Sequence, residues 1–229
     1  MAVGDVTKAG LRTRAFESYG EEAGGYEFST GMMGTFIRNA VEDFALRSGC
    51  VIGSGRTARP TATTGEALIT LASGVFSITR VVHERQFAGV AGMSDDIGHT
   101  TRASLALWYG ADWMLASGTS AGAGATSQKW YRKGARFIGI FPASLVHTAG
   151  TIVHWGAKIP DVMANETSPC KVPTEYTPGV IALVNEQMAR RDTNAEQGEG
   201  GRAGKFAAEA NKYIKLAQAG SRQMWEVQD

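Results

Sequence analysis

The sequence predicts an α+β protein in which both chain ends form a helical bundle and the middle forms a β-rich insertion. Helical periodicity is confined to the two ends, and β-branched residues concentrate between them. The predicted strands do not alternate with helices as βαβ units would require. Residues 1–50 and 173–220 are therefore expected to form one helical domain. Residues 51–172 are expected to form the insertion, and residues 221–229 a C-terminal extension.

Two helices are predicted near the N-terminus, at residues 6–19 and 30–48. Apolar residues recur every three or four positions along each of them. A glycine follows each helix, at Gly20 and Gly49, where a left-handed C-cap favours glycine. The apolar stripe of the second helix comprises Met33, Phe36, Ile37, Ala40, Val41 and Phe44.

The middle of the chain is predicted to contain strands joined by turns. Residues 51–64 are rich in Gly, Arg, Thr and Pro, which predicts a loop. Residues 100–115 are ambiguous, because Leu105, Trp108, Tyr109 and Trp113 could form a helical stripe but Gly110 weakens that interpretation. Strands are predicted at residues 66–71, 75–85, 128–132, 136–141 and 150–157.

Two further helices are predicted near the C-terminus. The first follows Pro173 or Pro178 and ends near Arg191, since proline favours the first turn of a helix. The second spans residues 202–218 and is expected to end at Gly220. Each carries a single apolar stripe, so these helices and the helix at residues 30–48 are expected to share one core.

Composition and charge exclude several classes of protein. The chain has 229 residues, of which 23 are basic and 22 acidic, so no global field attracts nucleic acid or acidic membranes. Two cysteines, Cys50 and Cys170, are too few for a secreted disulfide scaffold. The sequence shows neither a signal-peptide core nor an apolar stretch long enough to span a bilayer. We therefore expect a protein that is soluble and intracellular when made, with no membrane partner.

One segment matches an enzyme motif. Residues 118–122 (Gly-Thr-Ser-Ala-Gly) fit the nucleophile elbow, in which a strained turn presents Ser120. No periodic apolar helix follows, and no acidic residue lies between Ser120 and His154, the last histidine. A Gly-rich surface loop is the preferred interpretation. A serine hydrolase using Ser120 remains the weaker alternative.

The sequence gives no support for a cofactor site or a metal site. Neither a phosphate-binding loop nor a dinucleotide-binding glycine motif is present. His147 and His154 have no accompanying Cys-x-x-Cys, and a zinc site needs three or four converging ligands. The adjacent Asp95 and Asp96 are interpreted as a turn or a helix cap. No cofactor is expected.

A short basic segment is the one local candidate for nucleic-acid contact. Its cations interleave with Trp130 and Tyr131, as in small nucleic-acid-binding patches. A hairpin whose charges face water is the alternative interpretation. The candidate DNA-contact residues are Lys129, Arg132, Lys133 and Arg136.

The order of these segments resembles the head-to-tail adaptor, or connector, proteins of tailed phages, especially podophage-type adaptors. The resemblance covers nearly the whole chain except residues 86–126. It rests on the order of several short segments rather than on one motif. These are residues 47–49 (Arg-Ser-Gly), 77–81, 129–131 (Lys-Trp-Tyr), 137–142 ending in Phe-Pro, 151–155, and 172–176 leading into a helix.

This resemblance implies a structural virion protein rather than an enzyme. Adaptors of this type form a ring, here expected to be a dodecamer, that joins the portal protein to a tail or nozzle protein. The ring would line the DNA exit channel of the phage neck and touch packaged DNA non-specifically, after assembly in the host cytoplasm. Another virion component, such as a tail terminator or a minor capsid protein, is the alternative.

The C-terminal extension is expected to dock on the portal. A solvated tail has little reason to carry large apolar residues so close together, whereas Trp and Met are enriched in interface cores. The alternative is that Trp225 folds back onto the helices of its own subunit. The candidate portal-docking residues are Arg222, Met224, Trp225 and Val227.

Overall fold

The computed structural model of the protein describes residues 6–20, 28–58, 66–85, 94–110, 113, 128–141, 150–192 and 201–226. Over these residues the chain combines α-helices with two β-sheets, which confirms the predicted α+β class. The helices are α1 (Lys8–Tyr19), α2 (Thr30–Ser48), α3 (Arg102–Tyr109), α4 (Thr177–Arg191) and α5 (Arg202–Glu226), with a 3₁₀ helix at Thr174–Tyr176. The strands are β1 (Ile52–Ala58), β2 (Ala67–Thr70), β3 (Val75–Arg85), β4 (Ser94–Asp96), β5 (Gly98–His99), β6 (Lys129–Lys133), β7 (Phe137–Phe141) and β8 (Gly150–Lys158).

The chain divides into two units. The first unit comprises Met1–Ile52 and Ala157–Asp229, and the second comprises Gly53–Gly156. The first unit contains α1, α2, α4 and α5, and the second contains α3 and nearly all of the strand residues.

Helices α1 and α2 have well-formed ends. The N-cap side chains of Thr7 and Ser29 accept hydrogen bonds from the backbone N–H groups of Gly10 (3.2 Å) and Met32 (3.3 Å). Gly20 (φ 83°) and Gly49 (φ 66°) end the helices in the left-handed conformation that glycine adopts without steric cost. Local sequence therefore determines where both helices begin and end.

The core of the first unit lies between its helices. Helix α4 packs against α1, α2 and α5, and α2 also packs against α5. Gly179 of α4 allows a close approach of the helices, because a Cβ there would lie 2.5 Å from Cβ of Tyr213 and 2.6 Å from Cε2 of Phe44. The largest fully buried side chains of this core include Leu11, Tyr19, Met33, Ile37 and Phe44.

The second unit contains two four-stranded sheets. Their strand orders are β1-β8-β3-β4 and β2-β7-β6-β5. Apolar side chains from both sheets meet in one core cluster, which comprises Ala67, Ile69, Leu71, Val81, Ile97, Trp130, Ile138, Ile140 and Ile152.

Strand β1 contradicts the predicted loop over residues 52–58, and the rest of that prediction, residues 59–64, lies outside the described residues. Its residues alternate between exposed and partly buried positions, as expected for a strand at the surface. Gly55 occupies one of the inner positions, where a Cβ would lie 2.3 Å from Cε1 of His154. The glycines that suggested a loop are thus compatible with a strand that a neighbouring side chain approaches closely.

Two further predictions for the middle of the chain need correction. Strand β5 pairs in parallel with β6, and α3 lies between them in sequence, so one β–α–β connection occurs in the region expected to lack them. Asp95 and Asp96 lie in β4, not in a turn or a helix cap. The Asp96 carboxylate accepts a hydrogen bond from Arg80 Nε (2.7 Å), and this bond lowers the pKa of Asp96.

His154 is a buried histidine held in its neutral form. Its Nε2 accepts a hydrogen bond from the backbone N–H of Ala72 (3.1 Å), which requires an unprotonated Nε2. Burial lowers the pKa of His154, because the charged imidazolium loses more solvation than the neutral ring does.

Mild acid is therefore expected to destabilise the second unit through His154. The unfolded chain protonates His154 more readily than the folded chain does. The contribution of neutral His154 to the free energy of unfolding is therefore present above about pH 6.5 and declines as the pH falls below that value. The free energy of unfolding should fall by at most about 1.4 kcal/mol per pH unit from this group. Thermal midpoints of the wild type and of His154→Gln, measured across this pH range, check the effect.

The glutamine side chain does not titrate, so the difference between the two proteins isolates His154 from the other histidines. A difference that stays constant across the range would contradict the prediction. The carboxyl of Asp96 does not interfere, because its lowered pKa places its own contribution in a more acidic range.

Candidate interaction surfaces

The four predicted DNA-contact residues lie on one β-hairpin. Strand β6 pairs antiparallel with β7, and Gly134 (φ 68°) begins the turn between them. Lys129, Arg132 and Lys133 lie on β6, and Arg136 is exposed in the turn. Because side chains alternate along a strand, Arg132 projects from the opposite face to the two lysines. The cations share a hairpin but do not form a patch on one face.

Two of these cations already have partners within the chain. Arg132 donates from Nε to the carbonyl oxygen of Gly134 (2.8 Å) and from Nη2 to that of Ala135 (2.6 Å). The Lys133 ammonium forms a salt bridge with Glu66, a largely buried carboxylate. Of the four cations, Lys133 alone has an acidic partner among the residues that the structure describes, and Lys129 and Arg136 have neither a carboxylate nor a carbonyl partner there.

The aromatic residues of this segment belong to the interior. Trp130 is 5% exposed and packs edge-on against His99, with ring centroids 4.5 Å apart. Tyr131 is 1% exposed and contacts Trp113. Neither ring is available to stack on a nucleic-acid base, and the exposed aromatic side chain of this hairpin is instead Phe137 of β7, at 41%.

The predicted docking residues continue a helix. Helix α5 runs to Glu226, so the predicted end at Gly220 is wrong. A Cβ at Gly220 would lie 2.5 Å from Oη of Tyr176, which assigns this glycine to close packing. Arg222, Met224 and Trp225 belong to the last turns of α5, whereas Val227 lies outside the described residues.

Helix α5 is attached to the C-terminal end of α2. The Gln218 side chain donates from Nε2 to the carbonyl oxygen of Arg47 (2.7 Å). The Ser221 hydroxyl lies 3.4 Å from the carbonyl oxygen of Ser48 and 3.0 Å from that of Gln218. The anchoring therefore reaches Ser221, directly before the candidate docking residues.

The outer face of α5 carries a shallow groove that sequence reasoning missed. The groove has a volume of about 430 Å³ and no acidic residue in its lining. Leu216 is 50% exposed there, and Lys212 and Lys215 are also exposed. The signal that could have revealed this groove is the spacing of its residues along α5, since they fall between the positions of the apolar stripe of that helix. We call this the α5 groove; it is lined by Ala208, Asn211, Lys212, Lys215 and Leu216.

A second groove lies beside the first turns of α2 and has a volume of about 370 Å³. Gly31 and Gly34 contribute to its wall, and Arg38 lies one turn further along the helix. Lys8 contacts the Glu166 carboxylate at 3.6 Å. The lining therefore includes two cations and one carboxylate, which gives this groove a small excess of positive charge.

Helix α3 exposes two adjacent large apolar side chains. Leu107 is 83% exposed and Trp108 is 58% exposed. The other face of α3 is buried, since Leu105 packs in a cluster with Trp113. The aromatic stripe noted in the sequence is thus divided between the core and the surface. We call Leu107 and Trp108 the α3 edge.

The described residues hold no group of His, Cys, Asp or Glu side chains able to bind a metal ion. The cysteines Cys50 and Cys170 are buried, and burial raises the pKa of both thiols. Ser120 and His147 lie outside the described residues. Nowhere in the described part of the chain does a helix have the length and apolar character needed to cross a membrane.

Comparison with known proteins identifies a family. The family model for SU10 adaptor proteins matches residues 6–228, which is nearly the whole chain. This match confirms the resemblance to phage head-to-tail adaptors that the order of the segments indicates. No curated protein matches the chain significantly.

Proposed function

The chain belongs to the SU10 adaptor protein family, and on this basis we propose that it forms the ring that joins the portal protein to the tail in a phage neck. The family match over residues 6–228 carries the proposal. An adaptor of this family is a structural virion component that contacts other neck proteins. The ring state, the portal and tail or nozzle partners, and the podophage type are parts of the proposal.

Within this proposal, both chain ends build one helical bundle and residues 51–172 form its insertion. The bundle supplies the surfaces between neighbouring copies, and the last turns of α5 reach the portal through Arg222, Met224, Trp225 and Val227. Support comes from α5 itself, which is anchored to α2 as far as Ser221 and continues beyond that point.

Contact with packaged DNA is proposed for the β6–β7 hairpin at the channel surface. Lys129 and Arg136 carry most of this contact, because Arg132 and Lys133 are engaged within the chain. So few phosphate contacts give weak, salt-sensitive and sequence-independent binding. Such binding suits a channel through which DNA of any sequence must pass.

Native mass spectrometry of neck complexes purified from phage particles tests the ring. We expect a dodecamer of this chain bound to the portal ring. A hexamer without portal would contradict the proposal and favour a tail terminator. Mass spectrometry of the isolated chain serves as the control for assembly, since the subunit is expected to oligomerise only in contact with the portal.

A further inference from the structure

The two sheets of the second unit continue into one another at one side. Residues 94–99 run along both sheets, because β4 pairs with β3 and β5 pairs with β6. Between β4 and β5, the backbone N–H of Ile97 donates to the carbonyl oxygen of Val81 (2.9 Å). The sheets also share one core, so they form a barrel. Within the described residues, this barrel is open between β1 and β2, the strands at the two ends of the series.

One histidine connects β1 with the chain at the end of β2. His154 lies on β8, the strand next to β1, and its Nε2 accepts a hydrogen bond from the backbone N–H of Ala72, two residues after β2. A Cβ at Gly55 of β1 would lie 2.3 Å from Cε1 of His154 and 2.9 Å from Cβ of Ala72. The imidazole therefore fills the opening of the barrel at this point. We call Gly55, Ala72 and His154 the barrel seam.

The closed seam leaves one nitrogen of His154 without a hydrogen bond. The residue is 1% exposed, and its Nδ1 has no hydrogen-bond partner among the residues that the structure describes. Because Nε2 accepts a hydrogen bond, the proton of the neutral ring is on Nδ1, where it is a buried donor. Such a donor regains hydration when the seam opens, so the closed seam is less stable than a fully satisfied contact would be.

We propose that the barrel seam is a pH-dependent switch, in which protonation of His154 separates β1 from the end of β2. A proton added to Nε2 occupies the lone pair that accepts from Ala72, so two N–H groups then face each other. Opening of the seam lets both ring nitrogens donate to water. The switch is a property of the second unit by itself and goes beyond the proposed function.

No charged neighbour among the described residues stabilises a protonated ring in the closed seam. The described charged and titratable side chains of β1 and β3 are Arg56, Arg80, His83 and Glu84. The two arginines are cations, and each is paired with a carboxylate, that of Glu84 (2.8 Å) or Asp96 (2.7 Å). His83 lies beside Gly150, at the other end of β8. Residues 71–74, between β2 and β3, include no titratable side chain.

Hydrogen exchange of the full-length chain, resolved by NMR for single amides, tests the switch. Between about pH 7.5 and about pH 5, exchange at Ala72 and in β1 should accelerate by about 30-fold after correction for intrinsic rates, the effect of one proton bound in the open form with an ordinary pKa of about 6.5. Amides of β7, in the centre of the core, should exchange more slowly than those of β1 throughout. Equal protection of β1 and β7 at every pH would show that the unit opens only by complete unfolding, and the inference would be wrong.

His154→Gln separates this switch from other effects of acid. The glutamine side chain can accept from the N–H of Ala72 but does not titrate, so the acceleration at Ala72 and in β1 should disappear. His83→Gln is the matched control at the other buried histidine, and it should keep the acceleration. An acceleration that persists in His154→Gln, or that is lost only in His83→Gln, would overturn the inference.

Two further measurements apply even if His154→Gln does not fold. Gly55→Ala places a methyl group where the ring lies, so β1 should exchange rapidly at neutral pH and respond little to acid. In the wild type, the ¹⁵N shifts of His154 should show a proton on Nδ1 at neutral pH, and the ring should titrate together with the rise in exchange. A neutral ring protonated on Nε2 would exclude the bond to Ala72 and overturn the inference. None of these outcomes depends on ring assembly, so a negative result leaves the proposed function intact.

Discussion

Phe44→Ala is expected to lower the free energy of unfolding of the first unit by about 3–5 kcal/mol, the usual loss for a buried phenylalanine. The ring is fully buried in the core that α2, α4 and α5 share. Its truncation removes apolar contact and leaves a cavity, since the three helices cannot all close on the gap. Urea unfolding followed by circular dichroism measures the effect.

Ile181→Ala serves as a comparison with a smaller expected loss of stability. Ile181 also belongs to the apolar stripe of α4, but it is only partly buried. Its truncation should therefore shift the urea midpoint less than Phe44→Ala does. Equal and negligible shifts for both variants would show that these helices do not pack around Phe44.

Because α2, α4 and α5 meet at Phe44, the effects of substitutions at Phe44 and at Gly179 on stability should depend on each other. Gly179→Ala alone should destabilise by about 1–3 kcal/mol, because the new methyl group overlaps Phe44 and Tyr213. Combined with Phe44→Ala it should cost less than the sum, since the smaller side chain makes room. Gly31→Ala is the matched control: a Cβ there meets no atom within 4 Å, so this variant should be neutral or slightly stabilising.

Sequence alone located the helices of the first unit well, because their signals are local. Helix α2 begins and ends at the predicted residues 30 and 48, where Ser29 and Gly49 supply the caps. The end of α5 was misplaced for the opposite reason. Gly220 satisfies a contact with Tyr176, a residue distant in sequence, and no local pattern distinguishes that role from a C-cap.

The second unit was harder to predict because its strands depend on distant partners. Strand β3 was located correctly at residues 75–85, since its β-branched residues are a strong signal. Strand β1 was missed because its glycines and arginine resemble a loop until His154 is placed beside Gly55. Helix α3 was ambiguous because half of its apolar residues face solvent.

The candidate surfaces divide in the same way, into features with a local sequence signal and features that depend on distant contacts. The cations of the hairpin were visible in the sequence, but their intramolecular partners were not: Glu66 lies far from Lys133 along the chain. The α5 groove could have been found from the lysine spacing on the helix. The exposure of Trp108 could not, because only packing determines which aromatic residue of α3 remains outside.

Deletion of residues 222–229 is expected to abolish attachment of the protein to portal-bearing heads while leaving its thermal midpoint nearly unchanged. The anchoring of α5 by Gln218 and Ser221 remains in the shortened chain, so the fold should persist. The deleted segment contains Met224 and Trp225, residue types that are frequent in interface cores. Each copy contributes a modest affinity, and a ring of copies multiplies it through effective concentration. Co-sedimentation with heads and thermal unfolding measure the two effects.

Two shorter changes separate docking from folding. Deletion of residues 227–229 alone removes Val227 and should weaken attachment only in part, because Trp225 remains. Trp225→Ala should weaken attachment strongly without altering the thermal midpoint. If Trp225 instead packs against the helices of its own subunit, Trp225→Ala will lower the thermal midpoint by the loss of buried aromatic surface, and attachment will fall only as far as the folded fraction does. A shortened chain that still joins heads normally would exclude the end of α5 from portal docking.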